Sequence, residues 1–284
     1  MKKTRPYIIF LLIIFAGSFL GFMAPPGQLT GLEMHRLKGE VKSVMEIRYA
    51  LPGNSAKGSE KKILYQKYMQ FDENGQEQEM KHFANNEIYL VSKFISGSDG
   101  SLIEMNEYFP DGTLNLNVTY KLNDKGNKSE AAYHWSDNRI VGEICDPVDY
   151  YYDIILNEIF TKVIYEHDYR GYCTREDFIK ADGCLSFRLT SKYDFRGNKL
   201  ESAYFKGNEM LSWITKYEYD RYDNLIKSRV FKSNRIAVNS EYKYQLDEVG
   251  NWISRKEKRE VFVNILTAGL NQSDVLTERT IEYY

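Results

Sequence analysis

The residues able to do chemistry in this chain of 284 are four His, three Cys and 40 Asp and Glu. His35, His82, His134 and His167 form neither a His-x-x-x-His nor a His-Glu-x-x-His pair, so zinc-protease chemistry has no foothold. His167, Cys173 and Cys184 are three metal-capable side chains, but their spacing matches no zinc ribbon or finger, and no metal is expected. A Gly-x-Ser-x-Gly elbow, a Walker-type phosphate loop and a dinucleotide fingerprint are all missing. The expectation is therefore a chain with no cofactor and no catalysis. Glu79, Glu104, Glu130 and Glu201 recur at one place in a repeat and read as a solvated stripe pairing with Lys on neighbouring strands.

Two residue sets remain of interest. Phe83, Tyr108, Tyr133, Phe178, Tyr204 and Phe231 recur seven or eight residues past a series of turns. Such a column either packs a sheet together or exposes a row of rings on which a sugar or peptide could lie, and these six are the candidate binding surface. The cysteines raise the question of disulfides, because the compartment is oxidising if the chain is exported. Cys173 and Cys184 fall at opposite ends of one strand, ~30 Å apart at ~3.3 Å per residue, where a disulfide needs Cα atoms within about 7 Å. Cys145 is within reach of either, and three reduced thiols is the competing reading.

These residues are carried by a β-rich framework. The chain is 43% hydrophobic with 23 Tyr, a residue suited to sheets, and only 6 Pro. Its 38 Lys and Arg against 40 Asp and Glu leave a formal charge of −2, which argues against nucleic acid as a partner. Residues 1–24 read as a targeting segment: Lys2, Lys3 and Arg5 precede an uncharged stretch from Tyr7 to Ala24. It is either a cleaved signal or a retained membrane anchor, and it is the chain's sole expected contact with a membrane. Either way the remainder is exported, to the periplasm, the cell surface or the medium. Residues 25–36 read as a linker.

From residue 37 to 284 an internal repeat organises the chain. Turns end at Gly75, Gly100, Gly126, Gly171, Gly197, Asp223 and Gly250, a period near 26 with one expanded step. A second series lies 11 or 12 residues past the first: Asn85-Asn86, Asp111-Gly112, Asp137-Asn138, Asp182-Gly183, Gly207-Asn208 and Ser233-Asn234. Such pairs supply the left-handed conformations of tight hairpins. The ten-residue segments between them alternate as strands do, for example Tyr242, Tyr244 and Leu246 against Glu241, Lys243 and Gln245. The expected fold is all-β: roughly sixteen antiparallel strands in one wide, curved meander, open or partly closed, with curling toward a barrel or shell as the alternative. The long step holds an insertion at about 142–160, read as a short helix from the Asp146-Pro147 start, with an extra strand pair as the alternative.

Tyr217-Glu218-Tyr219-Asp220, Tyr242-Lys243-Tyr244 with Gly250-Asn251-Trp252, the run from Lys192 to Glu201, and the run from Asn123 to Asn127 resemble the YD repeat of Rhs-type proteins. The opening from Leu37 to Val44 is similar to that of small exported Rhs-like proteins of bacterial envelopes. Asp replaces Gly at 223, the 97–100 turn lacks its leading Asp, and the chain is far shorter than toxin-enclosing Rhs shells, which speaks against encapsulation. The resemblance and the export signal imply a non-catalytic envelope protein, a binding or structural scaffold for a glycan polymer or an envelope partner protein. The alternative is an immunity or antitoxin-type, or toxin-associated, Rhs-like repeat protein. MORN-like antitoxins also use short hairpin repeats, but their Gly-x-Trp-x-x-Tyr pattern is missing here.

The turn assignment makes a testable claim. Gly197→Val should lower stability by ~1 kcal/mol or more, since a β-branched residue is strained at positive φ; thermal melting reads it, and an unchanged Tm refutes the assignment. Asp223, already tolerated at that place, is expected to accept Gly without loss.

Overall fold

A computed structural model describes residues 30–51, 61–136, 160–262 and 270–284. The targeting segment, most of the insertion and Cys145 lie outside them. The strands are β1 (Val41–Ala50), β2 (Lys62–Phe71), β3 (Glu77–Ala84), β4 (Glu87–Ser96), β5 (Leu102–Tyr108), β6 (Leu114–Leu122), β7 (Lys128–Trp135) and β8 (Lys162–His167). They continue with β9 (Cys173–Ile179), β10 (Leu185–Tyr193), β11 (Lys199–Lys206), β12 (Leu211–Tyr219), β13 (Leu225–Lys232), β14 (Arg235–Leu246), β15 (Trp252–Phe262) and β16 (Leu270–Tyr283).

Each strand pairs antiparallel with the next, and β1 pairs with β16, from Val41 opposite Tyr283 to Ala50 opposite Val275. The meander is thus a closed barrel of sixteen strands, not an open or partly closed sheet. Closure satisfies the two edges that a wide sheet would otherwise present to other chains. The first and last strands lie outside the regular repeat, so the repeat pattern did not announce their pairing.

The two turn series occupy opposite ends of the barrel, and the first explains why the repeat needs Asp. The leading Asp or Asn accepts through Oδ1 from the backbone N–H groups two and four residues on: Asp72 from Asn74 and Gln76, both at 2.9 Å, and Asp194 from Arg196 and Asn198, both at 2.8 Å. Asn123, Asp168, Asp220 and Asp247 do the same. Such side-chain caps stand in for the ladder that the backbone leaves at a turn. Gly97 has no side chain to do this, and Asp99 caps Ser101 instead. The fourth residue of these turns is left-handed, with φ of 82° at Gly197 and 65° at Asp223. In the second series both central residues are left-handed at Asn85-Asn86 and Ser233-Asn234, whereas at the 207 turn it is Glu209.

Asp223 is more than a tolerated substitute. Its Oδ1 accepts from Asn198 Nδ2 at 2.6 Å and lies 3.3 Å from Arg196 Nη1, and its carbonyl accepts from Arg36 Nη1 at 2.5 Å. Replacement by Gly relieves one strained φ and keeps the carbonyl that holds Arg36, but removes the side-chain links to Asn198 and Arg196, so a loss of stability replaces the expected neutrality.

Residues 30–36, expected as the end of a linker, lie packed on the first-series end. A helical turn, α1 (Gly31–Met34), is closed by a capping box between Thr30 and Glu33. Leu32 N–H donates to Gly75 O at 3.0 Å, Arg36 Nη2 donates to Asn198 Oδ1 at 3.1 Å, and Lys38 N–H donates to Asn251 Oδ1 at 2.7 Å. The segment therefore ties together turns that are far apart around the ring. Beneath it Leu37, Val41, Val44, Met69 and Phe71 form a buried cluster with Leu32 and Tyr283.

Faces alternate along every strand, and the outer face is charged. Glu130 lies between Lys121 (2.7 Å) and Lys162 (3.3 Å), Asp177 between Arg175 and Arg188 (both 2.6 Å), and Glu201 lies 2.8 Å from Lys192. Glu79 meets Lys81 at 2.7 Å, and Glu104 accepts from Asn106 and Asn117. Of the expected acidic stripe, Glu130 and Glu201 pair with Lys on neighbouring strands, whereas Glu79 meets a Lys of its own strand and Glu104 is held by Asn side chains. The inner face divides in two: an apolar and aromatic wall over β5–β13, and a charged wall over β14–β16 and β1–β3.

An open stack of units would tolerate loss of residues 172–197, one period containing β9 and β10. In a closed ring the same deletion narrows the circumference around a filled interior. Both it and a thirteen-residue deletion are expected to lose the cooperative melting transition. A cooperative melt of the 26-residue variant in far-UV circular dichroism would show that the ring adapts.

Candidate functional site

The six rings of the sequence column do not share a face. Tyr133, Phe178 and Tyr204 stand seven residues past their turn and point inward; Phe83, Tyr108 and Phe231 stand eight past and point outward. A one-residue difference reverses the face because strand side chains alternate with period two. The inward three belong to a ladder of rings lining the apolar wall. Phe178 stacks on Phe187 (centroids 4.0 Å apart), Phe187 on Tyr204 (5.5 Å) and Tyr204 on Trp213 (3.9 Å), while Phe160 packs edge-on against Tyr133 and Phe178, both at 4.9 Å. Tyr133 and Tyr204 are buried, so this part of the column is core. The outward three are half-buried, with Lys93 set over Tyr108 and Lys216 over Phe231.

The exposed rings lie elsewhere. Tyr169, Phe195 and Tyr222 sit at the tips of the three first-series turns that follow β8, β10 and β12, 88%, 74% and 63% exposed. Arg170, Arg196 and Arg221 lie over them at 5.7, 5.7 and 4.6 Å. Arg170 bridges to the next turn through Asp194 O (2.7 Å), which holds the row in register. The equivalent tips after β2, β4 and β6 carry Glu73-Asn74, Ser98-Asp99 and Asp124-Lys125, so the apolar tips occupy one arc of the rim. This signal was visible in the turn sequences, but Asp and Gly drew the reading toward backbone roles.

The charged inner wall was not visible in the sequence at all. Opposite one another in register stand Tyr244, Arg255, Thr277, Arg48 and Tyr65, on β14, β15, β16, β1 and β2. An adjacent row runs Arg279, Glu46, Lys67, His82 and Leu90 across β16 and β1–β4. Glu46 accepts from Arg279 Nε at 2.8 Å and faces Lys67 at 3.6 Å; Glu257 faces Arg259 at 2.8 Å and Arg48 at 3.6 Å. Arg279 lies 3.5 Å over the Trp252 ring, with Arg255 at 5.1 Å from it. Burial opposes ionisation of Glu46, yet Lys67, Arg279 and Arg255 outweigh it and hold the carboxyl far below its usual range. Burial pushes His82, set between the Tyr65 and Tyr89 rings, down to about 3, so it is neutral at physiological pH.

Toward β5 and β6 the wall holds a carboxyl without a cation. Burial pushes Glu107 up to about 7, against the hydrogen bond that it accepts from Asn115 Nδ2 at 2.5 Å. On the apolar side burial likewise raises Glu176 to about 7 and lowers Lys128 to about 8; Lys128 lies 4.2 Å over the Tyr120 ring. His167 and Cys173 are opposite one another in register, while Cys184 lies in the turn at the far end of β9; both cysteines are free. Among the described residues no cluster of three or more His, Cys, Asp or Glu has the arrangement of a metal site.

No family model and no curated protein matches the chain. Among solved structures it is similar to a porin-like protein from Bacteroides uniformis, with a TM-score of 0.53 and 11% identity, over 85% of this chain and 98% of that one. A porin-like protein from Bacteroides vulgatus aligns at a TM-score of 0.41 and 14% identity, over 86% and 98% of the two chains. A TcdB2-TccC3-Cdc42 structure aligns at 0.29 and 12%, over 80% of this chain and 13% of that one. The first likeness is one of fold; the other two are too slight to carry an argument.

The raised Glu107 defines a pH dependence. A carboxyl whose folded pKa (about 7) exceeds its ordinary value of 4.5 contributes stability that is fully present below pH 4.5 and lost as pH rises through 7. Glu107→Gln should therefore melt higher than the parent at pH 8, by on the order of 2 kcal/mol, and show little difference at pH 4.5. Equal melting curves at both values would contradict the assignment.

Proposed function

We propose that this chain is a non-catalytic, water-exposed β-barrel scaffold of the cell envelope, of the YD-repeat type, whose aromatic rim holds a glycan or a partner protein. The observation that carries the reading is the row Tyr169, Phe195 and Tyr222, exposed rings on successive turns of one arc, each beside an Arg. Exposed rings fixed by a rigid scaffold are suited to stacking on sugar faces or filling small pockets of a protein. The outer wall supports a barrel in water. Barrels that span lipid present an apolar band ~25 Å tall, whereas here cross-strand ion pairs such as Lys121–Glu130–Lys162 and Arg175–Asp177–Arg188 interrupt outward aliphatic side chains such as Ile164 and Ile95. The likeness to a porin-like barrel is on this reading confined to the ring of strands.

Two measurements test the proposal. Purified without detergent, the chain should stay in the aqueous phase of a subsequent detergent-partition assay; recovery in the detergent phase would defeat the water-exposed reading. On a glycan array and in pull-downs from envelope extracts, the Tyr169→Ser, Phe195→Ser, Tyr222→Ser triple variant should lose at least ten-fold in binding at an unchanged Tm. Retained binding by that variant would remove the rim from the function.

A further inference from the structure

Tyr169, Phe195 and Tyr222 are carried at regular steps. Their turns follow β8, β10 and β12, so neighbouring tips lie two strand spacings apart, ~9.6 Å. Offset along the strands adds little. Tyr172, just past the first turn, stacks on Tyr193, just before the second, with centroids 5.1 Å apart. Hydrogen bonds then pin turn to turn. Arg170 Nη1 donates to Asp194 O at 2.7 Å and Arg196 Nη1 to Arg221 O at 3.4 Å, while Asn198 Nδ2 joins Asp194 to Asp223. The backbone beneath the rings is thus a rigid ladder whose pitch is set by the sheet.

These rings are separate platforms, not one apolar patch. A step of ~9.6 Å exceeds the ~7 Å within which aromatic rings pair. Between one ring and the next stand the guanidinium groups of Arg170, Arg196 and Arg221. Arg221 is exposed, and Arg196 keeps 39% of its side-chain surface accessible. Protein interfaces are built the other way, with apolar anchors gathered in a dry centre and charge kept at the margin. A sugar matches the alternation. Its C–H face stacks on a ring, and its edge hydroxyls meet guanidinium donors and Tyr hydroxyls.

We propose that the rim takes a linear glycan and contacts every second sugar along it; this rests on the rim reading above and gives it a substrate class. Two sugar units span about one step of the ladder, so Tyr169, Phe195 and Tyr222 meet the first, third and fifth units over ~19 Å. From the first ring to the third the rim turns through four of the sixteen strand steps, a quarter of the ring. The chain that follows this arc is one that bends, as α-1,4- and β-1,3-linked glycans do, and not a flat β-1,4-linked ribbon. Each platform alone holds a sugar weakly. Once one sugar is seated, the others bind as if intramolecularly, so affinity comes from chain length.

The test is calorimetric titration of the purified chain with maltohexaose and laminarihexaose, and with maltose and laminaribiose as the matching disaccharides. Cellohexaose is the straight-chain control, and a decaproline peptide, an extended helix that docks on aromatic rows, is the protein-type control. At least one bent hexasaccharide is expected to bind saturably, at least ten-fold tighter than its disaccharide and than cellohexaose. Phe195→Ser removes the middle platform. It should weaken the hexasaccharide at least five-fold and the disaccharide less than two-fold, since two equivalent rings remain, with Tm unchanged. Equal affinity for hexasaccharide and disaccharide overturns the proposal, as does tighter binding of cellohexaose. Binding of decaproline in place of every glycan, or no saturable binding by either bent hexasaccharide, overturns it as well. The rim reading itself falls on a different result, namely binding to envelope extracts that survives the Tyr169→Ser, Phe195→Ser, Tyr222→Ser variant.

Discussion

The β1–β16 ladder is the constraint on which everything else in this molecule depends. It runs along the whole of β1, and it turns a sheet with two faces in water into a ring with an inside and an outside. Until that ladder forms, no side chain of the meander is interior. Afterwards every second residue of each strand is enclosed, whatever its polarity. Lys42 and Ser43 on one strand and Glu282 on the other reinforce the seam from outside, at 2.9 and 3.1 Å, and Glu46 with Arg279 reinforces it from inside.

A ring this wide sets a filling problem. Barrels of about eight strands are filled by their own side chains, but at sixteen the diameter has grown roughly in proportion. Here one arc is filled by large rings, the Phe178–Phe187–Tyr204–Trp213 stack with Phe160 across it. The other arc is filled by long charged side chains whose partners lie on neighbouring strands. The first-series end is covered by residues 30–40, which bring Leu32, Leu37 and Arg36 into the mouth. Apolar filling excludes water and gives rigidity.

Division of labour extends to the turns. The leading Asp or Asn of the first-series turns, Gly97 apart, is consumed by its own backbone, and Asn198 at the fifth place ties Asp194 of its own turn to Asp223 of the next. The exposed ring positions between them, Tyr169, Phe195 and Tyr222, take no part in those caps. That freedom lets Glu, Asn, Ser and Lys stand on one arc of the rim and Tyr, Phe and Arg on the other with no change in the scaffold beneath.

Strand number, turn positions, antiparallel order and the acidic stripe were legible in the amino-acid sequence because they follow from local chemistry. Asx-capped turns recur every 26 residues or so, and alternation of polar and apolar residues needs no distant partner to be seen. Closure, the inward or outward sense of Tyr133 against Tyr108, and the meeting of Glu46 with Arg279 are different in kind. Closure adds up small twists over sixteen strands; a facing sense changes with a single bulge beside a turn, such as the one between Glu107 and Tyr108. Glu46 and Arg279 lie 233 residues apart, and only the tertiary ring makes them neighbours. The charged wall was decided there, because Glu46 meets Arg279 and Lys67, and Glu257 meets Arg48, on other strands of the ring.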